Sequence, residues 1–162
     1  MYITGKHALN IHPENNLTVG DWHEGVWSNI NVFPSKHITM GGIYSKHNTM
    51  EIWGKYGIYS GKKYIENKGI KTDVDSIYIA NHQRAILDMV YIYLNELGMI
   101  WEVENASLQY LADKNSIREM LEKSELIKKH LNNLQLNEYT IWFENEKKSL
   151  RGKYKWISMK NI

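Results

Sequence analysis

Nine of the eleven glycines and both prolines lie before residue 75, whereas the long helix-periodic segments lie after it. Glycine reaches positive φ without steric cost, and proline interrupts helices and ladders, so the first half must consist of short segments joined by tight turns. The chain therefore reads as α+β: a β-rich N-terminal half, about residues 1–79, packed against a helical C-terminal half. With 162 residues, 43% of them hydrophobic, one domain spanning 1–162 is expected to build one core of ordinary size.

Strand-like runs of β-branched and aromatic residues occur at Ala8–Ile11, Ile30–Phe33, Met50–Trp53, Tyr56–Tyr59 and Ser76–Ile79. Met50–Tyr59 reads as a hairpin turning near Gly54 and Lys55, with further turns at Gly41-Gly42 and Ser60-Gly61-Lys62-Lys63. The best-marked helix runs over His82–Leu97, with Asn81 as N-cap and Gly98 at the position where a left-handed residue ends a helix. Ile86, Met89, Val90, Tyr93 and Leu97 form its core-facing stripe, and Asn81, Arg84, Asp88, Tyr91 and Asn95 another face. A second helix is predicted from Ser116, which forms a capping box with Glu119, and a helical turn over Ser107–Ala112. Residues 136–150 fit both a strand and a helix, and helix is the favoured reading.

Twenty basic and eighteen acidic residues leave a net charge of +2, too balanced for a general attraction to nucleic acid or membrane. The absence of cysteine excludes disulfides, thiolate metal sites and cysteine nucleophiles, and permits a reducing compartment. No apolar run reaches the length of a membrane span and no signal-peptide pattern opens the chain, so a cytoplasmic location is expected.

Two clusters hold the side chains that could carry chemistry. Asp21-Trp22-His23-Glu24 could hold a general base, His23, oriented by Asp21 or Glu24. Its spacing matches no catalytic motif, so the favoured reading is structural: Asp21 caps a helical turn running to Trp27, and Trp22 and Trp27 pack inward. The second cluster is Asn81-His82-Gln83-Arg84 with Asp88 one turn on. An Arg84–Asp88 pair on the helix surface contributes roughly 0.2–0.5 kcal/mol. The functional alternative is an anion held by Arg84, His82 and the free N–H groups that follow Asn81 at the helix start.

Five of the seven histidines lie in the first 47 residues, but none has the spacing of a metal motif, and neither metal nor cofactor is expected. The segment from Lys147 to Ile162 has six basic and no acidic residues, interleaved with Tyr154 and Trp156. Such a mixture can bind a phosphate backbone and stack on bases, or form a basic edge of the fold with its rings turned inward. The second reading is favoured, so nucleic acid is a possible partner but not the preferred one.

Three stretches, Thr4–Asn10, Gly20–His23 and Ala80–Asp88, resemble small bacterial proteins associated with toxin–antitoxin gene pairs. The Arg84-Ala85-Ile86-Leu87-Asp88 helix is similar to one in AbiEi-type antitoxins, although the chain has no recognisable winged-helix segment. The resemblance implies a binding role beside a partner protein, a cognate toxin being the specific form, and transfers no catalytic residue. The leading expectation is thus a non-enzymatic interaction protein, antitoxin or phage-defence partner, with Trp22, Trp27, Tyr154 and Trp156 as interface candidates. The alternatives are a hydrolase or transferase of a nucleotide-like substrate, working through Asp21, His23 and Arg84, and an RNA or single-strand binder using the tail.

Overall fold

The computed structural model describes residues 1–11, 25–46, 48–101, 103, 107, 110–111 and 113–153, with side chains through Leu150. The chain runs through β1 (Tyr2–Ile3), α1 (Gly5–Leu9), β2 (Val32–Phe33), β3 (Met40–Gly41), α2 (Met50–Trp53) and β4 (Ile58–Ser60). It continues through α3 (Lys62–Asn67), β5 (Lys71–Thr72), β6 (Tyr78–Ala80) and α4 (His82–Leu97). Then come α5 (Lys114–Ser124), a 3₁₀ helix (Glu125–His130) and α6 (Asn133–Lys153). All described strands lie in the first half and the longest helices in the second, as an α+β chain of this pattern requires.

A four-stranded sheet has the order β3-β1-β6-β4, in which β1 runs parallel to β6 and antiparallel to β3, and β4 runs antiparallel to β6. β2 and β5 form a separate parallel pair. α4 is the hub, lying against α1, α5, α6 and β6. Its ends follow local chemistry: Asn81 Oδ1 accepts the Arg84 N–H at 2.8 Å, and Gly98 closes the helix at φ +70°.

Several short readings change. Ala8–Ile11 is not a strand, since most of it belongs to α1 or its end. Met50–Trp53 is α2, so the expected hairpin over 50–59 is a helix, a turn and then the edge strand β4. A four-residue apolar run carries too little periodicity to distinguish strand from helix. α3, directly after Gly61, lies where only a turn was expected. α5 starts two residues early because Asp113, not Ser116, caps it: Asp113 Oδ2 accepts the Ser116 N–H at 2.7 Å. That bond holds the Asp113 carboxyl below its ordinary pKa. α6 bears out the helical reading of residues 136–150.

The expected stripe on α4 is also redrawn. Ile86, Met89 and Val90 are buried, but Leu97 is exposed, and on the other face Arg84 and Asp88 are fully buried while Asn81, Tyr91 and Asn95 are half-buried. Among the described residues, no helix is long and apolar enough to cross a membrane.

Candidate functional site

Arg84 and Asp88 are 0% exposed and form an ion pair at 2.9 Å in the interior. An interior charge is tolerated only when its hydrogen-bonding capacity is filled. All five guanidinium donors are engaged. Nε–H donates to Asp88 Oδ1; Nη1 donates to the carbonyls of Gly54 (2.9 Å) and Tyr56 (3.0 Å); Nη2 donates to Tyr2 Oη (2.7 Å) and Thr49 Oγ1 (3.1 Å). Asp88 is equally complete. Besides Nε–H, it accepts the hydroxyls of Thr49 (2.7 Å), Tyr2 (2.8 Å) and Thr4 (2.6 Å).

The guanidinium also lies between the rings of Tyr2 and Trp53, at 5.2 and 5.4 Å from their centroids. Burial, followed by the neighbouring Asp88 charge, pushes the Tyr2 phenol well above its ordinary pKa, with Arg84 opposing, so the hydroxyl keeps its proton and donates it. Gly57, at φ +68°, is part of this construction. A Cβ there would come within 2.5 Å of Asn81 Oδ1 and 2.7 Å of Arg84 Cβ.

This arrangement corrects the reading of Arg84 as an anion holder: it has no donor left to offer. It also moves the Arg84–Asp88 pair from the helix surface to the interior, where it cross-links β1, α2, the turn before β4 and α4. His82 is likewise buried, its Nε2–H donating to the Ile11 carbonyl at 2.9 Å and its ring meeting Tyr110 edge-on. Asn81 serves the helix start as a cap. Tyr2, Thr4 and Thr49, which complete the node, carry no local sequence signal.

Trp27 is half-buried and internally engaged: its Nε1–H donates to the His7 carbonyl at 3.2 Å, and its ring meets the His7 ring edge-on at 5.0 Å. Burial lowers the His7 pKa to about 4, and its Nδ1 accepts the Thr39 N–H, which requires the unprotonated nitrogen. Asp21, Trp22, His23, Glu24, Tyr154 and Trp156 lie outside the described residues. At the start of the basic segment, Lys147 pairs with Glu144 of its own helix at 3.2 Å.

Comparison with protein-family models, curated proteins and solved structures finds no match.

Two apolar surfaces remain. One is a cleft of about 310 Å³ across the four-stranded sheet, lined by Met1, Tyr2, Gly42, Ile43, Met50, Lys55, Ile58 and Tyr78. The other is on the helical side. Just past α4, Met99 and Trp101 are exposed, as are Leu134 and Ile141, seven residues apart on α6. A small indentation lined by Ile100, Glu138, Ile141, Trp142 and Asn145 lies between these segments. Beneath it, the buried Trp142 Nε1–H has no acceptor among the described residues.

Proposed function

We propose that the chain is a small interaction protein that works in the cytoplasm and binds another protein through the apolar face between the end of α4 and α6. The observation that carries this reading is the set of large apolar side chains left in water there, with Trp101 56% and Leu134 80% exposed. Large apolar side chains exposed on two neighbouring segments suit an interaction site, and tryptophan is enriched among residues that dominate binding energy. A cognate toxin or a defence-associated protein is the specific partner suggested by the sequence resemblance.

The Arg84–Asp88 node favours this reading over a hydrolase or transferase, because the arginine assigned to hold the substrate anion is already saturated. The test is affinity capture from the native cell with the wild type and with a Trp101→Ser/Ile141→Asp variant shown by circular dichroism to be folded. The expected result is one stoichiometric protein that the variant loses. Retention of that protein by the variant, or capture of nucleic acid in its place, would overturn the proposal.

A further inference from the structure

A protein docked between the end of α4 and α6 would cover a carboxylate along with the apolar side chains. Glu138 is half-buried and lines the indentation there together with Ile100, Ile141, Trp142 and Asn145, and it is the one charged residue of that lining. Ile141, Trp142 and Asn145 follow Glu138 at spacings of three, four and seven, which places all four on one face of α6; the exposed Leu134 stands one turn before them. We propose, on the reading of this face as the docking surface, that the indentation receives the cationic side-chain end of the partner, a lysine or arginine flanked by apolar residues, with Glu138 as its counter-ion.

Among the described residues no cation pairs with Glu138, and the local sequence explains why. On a helix a side chain meets those three and four positions away, which for Glu138 are Leu134, Gln135, Ile141 and Trp142. None is basic, and Gln135 is engaged, its amide donating to the Leu94 carbonyl at 3.0 Å. Across the indentation, Gly98, Met99, Ile100 and Trp101 carry no charge. Lys147, further along α6, is held by Glu144, and Lys46 by Glu96 near the end of α4.

In the free protein water solvates this carboxylate. A partner that covered Ile141 and Trp101 with apolar surface alone would strip that water and strand an uncompensated charge. A basic side chain avoids this, because its methylene stem can lie on apolar surface while its head makes a charge-assisted hydrogen bond to the carboxylate. The space agrees in size. At about 80 Å³ the indentation is far smaller than the roughly 300 Å³ at which small-molecule sites begin, so it suits one protruding side chain and not a free ligand.

Selection from a phage-displayed library of random dodecapeptides on the full chain tests the assignment. Peptides lost on a folded Trp101→Ser/Ile141→Ser variant, which adds no charge, are those bound at this face. They are expected to share one basic residue beside large apolar ones, and whether lysine or arginine is enriched tells which head fits. In fluorescence polarisation such a peptide should bind Glu138→Gln roughly tenfold or more weakly than the wild type, the size of one hydrogen bond between charged groups. Norleucine in place of its basic residue should weaken binding to the wild type as much and leave binding to Glu138→Gln nearly unchanged, as a direct pair requires. Face-bound peptides with no shared basic residue, or an affinity unchanged in Glu138→Gln, would overturn the assignment of a cation while leaving the docking surface in place. Absence of any peptide that depends on Trp101 and Ile141 would overturn both.

Discussion

The buried node around Arg84 and the cleft bordered by Lys55 meet at Tyr2, yet they treat charge in opposite ways. In the node, five donors and a carboxylate are matched group for group, and no water or ligand is needed to complete them. In the cleft, Lys55 and the amino-terminal Met1 stand among apolar walls, and no carboxylate among the described residues pairs with Lys55. The contrast teaches where to look for recognition. A motif whose hydrogen bonds are all satisfied within the chain is architecture, whereas an unpaired charge beside open apolar surface is available to something else.

The largest effect should come from breaking the node. Arg84→Met leaves the Asp88 carboxylate buried without its cation, which should cost about 3–5 kcal/mol in urea unfolding. The double change Arg84→Met/Asp88→Leu should recover part of that loss, because no lone charge stays behind. A loss below about 1 kcal/mol for the single variant would show that the node is not the cross-link its geometry indicates. Ile86→Ala, in the apolar core beside the node, should cost roughly 2–5 kcal/mol.

A smaller effect sharpens the comparison with pH. His7 is neutral in the fold, with a pKa of about 4 against an ordinary 6.5. Its lowered value means that the unfolded chain takes up a proton first. Its contribution to stability is therefore complete above about pH 6.5 and is lost as pH falls toward 4, worth about 2 kcal/mol between pH 7 and 5. Unfolding free energies from urea titrations should fall between pH 7 and pH 5 by about this much more in the wild type than in His7→Leu.

The smallest effects belong to the open surfaces. Lys55→Met and Trp101→Ser should each change stability by no more than about 0.5 kcal/mol, since neither side chain completes an interior group. A thermal melt showing a larger loss in either would mean that the surface is part of the fold and not free for binding.

The sequence carried the parts of the molecule that are decided within a few residues. The ends of α4 were legible because a cap bond from Asn81 to Arg84 spans three positions, and because Gly98 adopts a conformation that side chains resist. The helical character of α6 and the division into a strand-bearing half and a helical half were legible for the same reason, as long periodicities repeat one local preference many times. The runs at Ala8–Ile11 and Met50–Trp53 were too short for that averaging, and packing against α4 and the 3₁₀ helix set their conformation. Nothing near Arg84 reveals that it faces inward. Gly54, Tyr56, Thr49 and Tyr2, which accept its hydrogen bonds, lie 28 to 82 residues away along the chain. A helix face with Arg and Asp four residues apart is favourable in water as well as in the interior, so only the tertiary structure, by bringing enough acceptors together to fill five donors, could decide which it is.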